Sequence, residues 1–320
     1  MKFDCVIGNP PYQVSDGGSG ASSTPVYNKL IEATRKLDPE VMSFIIPAKW
    51  YSGGKGLDKF REEMLTDKHI SVLVDYSNSQ DVFPNVDVAG GVCYFVRSKS
   101  YEGKCRYINF RNGKSTEEYR ELDEFPTFIR YPIATEIVKK VKQANEESLD
   151  KVVSSRKPFG LATAVRPMKT GDIILRCNGG SGPYKRSEIK VGAKMIDQWK
   201  IIISRLTAEH AGQPAKDGKY RVLSTMELLK PKEICTETYL VAGSFETEEE
   251  ARNYMEYLKT KFVRFLILQI AMTQQLSKAS FSFVPSQMFT QRWTDERLFE
   301  KYKLTDDEIS FIQSMIKEMA

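Results

Sequence analysis

Phe3-Asp4-Cys5-Val6-Ile7-Gly8-Asn9-Pro10-Pro11-Tyr12 is the stretch whose reading decides the fold. Its short apolar run, closed by Gly8, predicts a buried strand, and Asn-Pro-Pro-Tyr predicts a stiff loop at that strand's carboxyl end. Open α/β sheets bind their ligands at this end. Both prolines have a fixed φ and no N–H, so the loop presents acceptors: the Asn9 side-chain oxygen and the Pro10 carbonyl. An amino group with two N–H donors fits between them. Two acceptors on the protons of an aromatic amine draw its nitrogen out of conjugation and towards a nucleophilic geometry, with no general base at the outset. Tyr12 follows with a flat face that can stack on a planar ring.

Working outward, the loop 15–23 is rich in Gly and Ser and reads as a flexible connection or a cover for a ligand. From Pro25, residues Val26, Tyr27, Leu30, Ile31, Thr34 and Leu37 recur at helical spacing. Val41 to Pro47 predicts a second buried strand; Leu57, Phe60, Met64 and Leu65 mark a helix, and Ile70 to Tyr76 and Gly91 to Arg97 predict further strands. This alternation predicts an α/β fold with a parallel sheet. In the loop Asp81-Val82-Phe83-Pro84-Asn85, Phe83 reads either as a core aromatic or as a second stacking ring.

The whole chain sets the bounds. Its 320 residues predict two domains, and 41% hydrophobic with 28% charged residues is ordinary for a soluble globular protein. A net charge of +5 permits nucleic-acid binding without demanding it. Five cysteines with no Cys-x-x-Cys pair predict reduced thiols and a cytoplasmic protein, and with only two histidines no metal site is expected. The apolar run from Phe262 to Met272 is interrupted by Arg264 and Gln269, so no membrane span is expected.

Composition shifts after the helix Ile129 to Lys142, in the polar run Gln143 to Asp150, which divides the chain into domains 1–145 and 146–320. The second is richer in glycine and basic residues: Gly179-Gly180-Ser181-Gly182-Pro183-Tyr184-Lys185-Arg186, then Lys190, Lys194, Lys200 and Arg205. A glycine-rich loop ending in Lys185 and Arg186 can bring N–H groups and charge up to phosphates, or can be a solvated surface. Trp199 to Ser204, Tyr239 to Ser244 and Phe281 to Pro285 predict strands. Thr247 with Glu250 and Thr305 with Glu308 predict capping boxes, the first opening a helix that runs through Tyr254, Leu258, Phe262 and Leu266.

Asn9-Pro10-Pro11-Tyr12 resembles the target-amine motif of the amino-methyltransferases that use S-adenosylmethionine. Residues 1–145 resemble the later half of an N6-adenine DNA methyltransferase, and residues 146–320 resemble the target-recognition region of Eco57I-type restriction-modification proteins. The resemblance implies a partial Rossmann-like methyltransferase sheet followed by an α+β target-recognition domain. It implies that Asn9 and Pro10 bind the amine of an adenine flipped out of double-stranded DNA and that Tyr12 and Phe83 stack on the base. Lys185, Arg186, Lys190, Lys194 and Arg205 then become candidates for contacts to DNA. Such enzymes hold S-adenosylmethionine with a Phe-x-Gly-x-Gly turn and an acid ending the next strand, neither of which is found in place here. Leu240-Val241-Ala242-Gly243-Ser244-Phe245 is the nearest candidate for a permuted turn. The expectation is therefore a chain that holds the base pocket and DNA-reading region, is inactive alone, and needs an upstream cofactor-binding half from the same parent chain or a separate subunit. Phe3 to Ile7 would then be an open edge, available for self-association. A non-catalytic DNA-specificity module, or an amino-methyltransferase acting on protein glutamine or ribosomal RNA, are the alternative readings.

Overall fold

The computed structural model describes residues 3–15, 23–53, 56–111, 113–209, 214–215, 217–271 and 275–319. The loop 15–23 lies almost wholly outside them. The chain divides into two compact units, Met1–Pro132 and Ile133–Ala320.

The first unit is built on a six-stranded sheet. Its strands are β1 (Cys5–Gly8), β4 (Val41–Pro47), β5 (Ile70–Tyr76), β6 (Val92–Ser98), β7 (Cys105–Arg111) and β8 (Lys114–Arg120), in the order β1-β4-β6-β5-β7-β8. A short hairpin, β2 (Gln13–Ser15) with β3 (Ser23–Pro25), leads from the first loop into α1 (Tyr27–Lys36). The sheet is mixed rather than parallel. β1 pairs parallel with β4, and β5 with β7, while β6 runs antiparallel between β4 and β5. The chain from β5 to β6 holds no crossover helix, so β6 must return alongside its predecessor in the opposite sense. By contrast α2 (Asp58–Thr66) carries the chain from β4 to β5, and these two strands share one direction. Consequently β1, β4, β5 and β7 all deliver their carboxyl ends to one side of the sheet.

Tyr27 of α1 meets Phe60 of α2 edge to face at 5.9 Å, and Phe60 meets Trp50 at 6.1 Å. The two helices thus close over one apolar layer. Each such fully buried ring stabilises by roughly 2–3 kcal/mol.

In the second unit α3 (Pro132–Gln143), which the sequence places with the first region, packs near the carboxyl terminus: Lys140 Nζ donates to Glu308 Oε2 at 2.6 Å and Lys142 Nζ to the Ser282 carbonyl at 3.1 Å. Residues 179–186 are not a glycine-rich loop. Residues 179–184 belong to a hairpin in which β9 (Ile173–Cys177) turns through Asn178-Gly179 into β10 (Gly180–Tyr184), Arg186 opens a 3-10 turn, and β13 (Glu233–Cys235) joins β9 in parallel. A second sheet has β11 (Trp199–Ser204) between β12 (Met226–Leu229) and β14 (Tyr239–Phe245), antiparallel to both. Ile173, Leu175 and Ile234 of one sheet and Ile202, Leu229 and Val241 of the other share one core.

The helix expected from Thr247 to Leu266 is two helices, α4 (Glu248–Lys259) and α5 (Lys261–Leu268), separated at Thr260. Thr260 takes an extended ψ of 149°, its hydroxyl accepts from Val263 N–H at 3.2 Å, and the Asp295 carboxylate accepts from Lys261 and Phe262 N–H at 3.0 and 2.8 Å. These acceptors satisfy donors that a helix start leaves unpaired. Phe281 to Pro285 is not a strand: Phe281 ends a 3-10 turn that starts at Lys278, and Pro285 forms an isolated bridge with Ser148. The chain closes with α6 (Asp295–Lys301) and α7 (Asp306–Met315), and Thr305 with Glu308 forms the expected capping box.

Candidate functional site

β1 ends at Gly8, and Asn9 to Tyr12 leave the sheet at the side where the four like-directed strands end. Gly8 is needed there, because a Cβ would lie 2.8 Å from the Phe44 ring of β4. Pro10 is buried, Pro11 is exposed and Tyr12 is half-buried. Asn9 is exposed, and no described residue hydrogen-bonds its side chain. Its amide oxygen is therefore open to an incoming donor. The Tyr12 carbonyl accepts from Val26 N–H at 3.2 Å, tying the loop to the start of α1. The Tyr12 hydroxyl is buried without a hydrogen-bond partner, as are the Tyr27 hydroxyl and the Asn28 Oδ1. Burial, with nearby Cys93 as a second cause, pushes the Tyr12 and Tyr27 hydroxyls up from the ordinary tyrosine range.

Contrary to a buried strand, β1 is poorly covered: Cys5 is exposed and Ile7 is 77% exposed. Among the described residues β4 is its only sheet partner, so its other edge carries unpaired N–H and C=O groups.

Phe83 is half-buried on the loop that follows β5. The Ser79 side chain fixes this loop: its hydroxyl donates to the Val86 carbonyl and accepts from Val88 N–H, both at 2.8 Å, while Phe83 N–H donates to the Ser79 carbonyl at 2.8 Å. Sequence reasoning missed what anchors the far end. Asp75 on β5 has no exposed surface, and Arg130 Nε and Nη2 donate to its two oxygens at 2.7 and 2.8 Å. Asn109 Nδ2 donates to the same carboxylate at 2.6 Å, and the Tyr51 and Tyr107 hydroxyls approach it at 3.2 Å. Arg130 Nη2 also donates to the Gly90 carbonyl at 2.6 Å, and Ala48 N–H to that of Gly91 at 3.0 Å. Burial pulls the Arg130 guanidinium down, and the Asp75 charge more than offsets it, so the net direction is upward. The hint in the sequence was one acid inside the apolar run Ile70–Tyr76.

The candidate DNA-contacting residues fare differently. Lys185, Lys190 and Lys194 are exposed. Arg186 forms a two-pronged ion pair with Asp197, at 2.8 and 2.5 Å, which compensates its charge. Among the described residues Arg205 donates only to neutral acceptors, the Glu237 carbonyl at 3.5 Å and Gln275 Oε1 at 3.3 Å. Lys200, read with the basic surface, is fully buried: its ammonium lies among the carbonyls of Met195, Ile196, Gln198 and Lys230, at 2.6 to 3.3 Å.

Gly243, the candidate for a cofactor turn, lies inside β14, where a Cβ would sit 3.0 Å from the rings of Phe245 and Tyr254. It is a packing glycine within a strand rather than the glycine of a turn. Among the described residues no group of three His, Cys, Asp or Glu could hold a metal ion, and no helix is long and apolar enough to cross a membrane.

A strand ending in an acceptor loop, on a mixed α/β sheet, is the arrangement around which the family match falls: residues 1–83 match the model of the Eco57I restriction-modification methylases. A curated relative, an "Uncharacterized adenine-specific methylase" of Mycoplasma pneumoniae, is 37% identical over 125 residues, covering 37% of this chain and 29% of the relative. The chain therefore spans less than a third of that protein's length. Among solved structures, the type IIG restriction endonuclease BpuSI aligns with 94% of this chain and 49% of its own, at 13% identity and a TM-score of 0.35. The type IIL restriction-modification enzyme MmeI in complex with DNA aligns with 87% of this chain and 46% of its own, at 9% identity and a TM-score of 0.41.

Proposed function

We propose that this chain is the base-binding and target-recognition part of a site-specific N6-adenine DNA methyltransferase of a restriction-modification system. The observation that carries the reading is the Asn9-Pro10-Pro11-Tyr12 loop at the carboxyl end of β1, with the Asn9 amide open to a donor. Asn9 Oδ1 and the Pro10 carbonyl accept the two N–H groups of the adenine amine. Tyr12 and Phe83 stack on the flipped base. In the second unit Lys185, Lys190, Lys194 and Arg205 supply charge to double-stranded DNA, and Arg186 joins them by exchanging Asp197 for a phosphate.

S-adenosylmethionine supplies the methyl group in this family, and the residues here hold the acceptor. In this reading the donor's site belongs to a partner, a cofactor-binding half in the same parent chain or a separate subunit, and the packing of Gly243 inside a strand supports it. The open edge of β1 and the exposed Ile7 support docking of that half there. A second copy of this chain is the competing occupant of that edge.

The test combines the chain with its cofactor-binding half and labelled S-adenosylmethionine, and offers duplex DNA, ribosomal RNA and a glutamine-containing protein in parallel. N6-methyladenine in the duplex is expected. Label in the RNA or the protein instead would overturn the DNA assignment, and no transfer to any of the three would leave a DNA-specificity module.

A further inference from the structure

The end of β11 and the start of β14 form the floor of a groove of about 320 Å³ in the second unit, a size in the range of small-ligand sites. One wall is the segment carrying Ser155 and Arg156, held to β14 by the backbone hydrogen bond from Ser154 N–H to the Val241 carbonyl at 2.8 Å. Opposite, the segment from Gln275 to Lys278 is held to the end of β11, with Leu276 N–H donating to the Arg205 carbonyl at 2.7 Å and a bridge pairing Leu206 with Gln275. Leu240 and Leu276 are buried beneath.

Three cationic residues, Arg156, Arg205 and Lys278, line this groove. Arg156 is paired with Glu237, Nε to Oε2 at 2.7 Å. That carboxylate also accepts from Thr163 N–H at 3.2 Å, so its charge is already shared. Among the described residues Arg205 has only neutral acceptors, and no carboxylate pairs with Lys278. Three positive charges against one negative leave an excess of two, concentrated in a concave space beside the Ser155 and Ser277 hydroxyls. An anion with several acceptor oxygens satisfies such a set of donors.

We infer that this groove is a phosphate site, occupied by a backbone phosphate of duplex DNA. The inference rests on the DNA reading above and adds Arg156, Lys278 and Ser277 to it. Arg205 and Lys278 neutralise the phosphate, and the cation condensed on it is released on binding.

The test measures the binding of a labelled duplex across a salt series, for the wild-type chain, Arg205→Gln, Lys278→Gln and the double variant, with Arg252→Gln on the exposed face of α4 as a control. Thermal unfolding confirms that each variant is folded. The double variant should flatten the plot of log affinity against log salt by about one, and each single substitution by less, while Arg252→Gln leaves it unchanged. Wild-type binding with an unchanged slope in the folded double variant overturns the groove and leaves the DNA reading standing. A wild-type chain that binds no duplex, yet is stabilised by inorganic phosphate only when Arg205 and Lys278 are present, overturns the DNA source and the DNA reading together.

Discussion

Arg130→Met tests whether the Asp75 cluster holds the first unit together. The substitution keeps much of the side chain's bulk and removes two charge-assisted hydrogen bonds to a carboxylate that has no exposed surface. Leaving one member of a buried ion pair unpaired costs about 3–5 kcal/mol. Asn109 and the Tyr51 and Tyr107 hydroxyls still point at the carboxylate, so the lower end, about 3 kcal/mol, is expected. Asp75→Asn in the Arg130→Met background removes the stranded charge and should recover about 1–2 kcal/mol, so the single changes will not add. Thiol labelling through a urea series reads this unit by unit. Cys93 and Cys105 are buried in the first unit, Cys177 and Cys235 in the second, and mass spectrometry separates them. Burial holds the Cys93 and Cys105 thiols up to about 12, so neither reacts until the unit opens. A loss under about 1 kcal/mol at Cys93 and Cys105, or additive single and double variants, would refute the argument.

Phe83→Ala should reduce the fluorescence rise of a 2-aminopurine placed at the target adenine, with duplex affinity little changed; equal signals would remove Phe83 from the base pocket. Calorimetry of the chain alone with S-adenosylmethionine should show weak or no binding, and micromolar or tighter binding would defeat the assignment of the donor site to a partner. Burial pulls the Lys200 ammonium down to about 8 from 10.5. Between those values the unfolded chain binds more protons than the folded one, so stability rises with pH across the window and is lost as pH falls through about 8, by at most ~3 kcal/mol. Lys200→Met should abolish that pH dependence in labelling of Cys177 and Cys235, and an unaltered slope would place the ammonium in water.

The strands β4, β5 and β6 were legible because each is a nearly unbroken apolar run, and Thr247 and Thr305 marked helix starts through their own local hydrogen bonds. β7 and β8 were not. Arg106, Asn109 and Arg111 interrupt the first, and the second is a mostly exposed polar edge strand with no apolar signal. The direction of β6 was hidden because it depends on the absence of a crossover, which a strand's own composition does not encode. The break at Thr260 is completed by Asp295, whose carboxylate arrives from another helix. In the candidate site the acceptor loop could be read from four consecutive residues. The Asp75 cluster draws Tyr51, Tyr107, Asn109 and Arg130 from 24 to 55 positions away, so no local pattern announces it. Lys200 failed for the converse reason: a lysine is ordinarily a surface residue, and only the carbonyls converging from Met195, Ile196, Gln198 and Lys230 make its burial tolerable.

The most direct test of the acceptor loop is single-turnover methyl transfer to duplex DNA by the enzyme assembled with its cofactor-binding half, comparing wild type with Asn9→Ala. A contact made to the reacting amine should cost at least ~10²-fold in the transfer rate while duplex affinity stays within a few-fold of wild type. Asn9→Ala that methylates adenine at the wild-type rate would contradict the account, because the exposed amide at the end of β1 would then have no part in the chemistry.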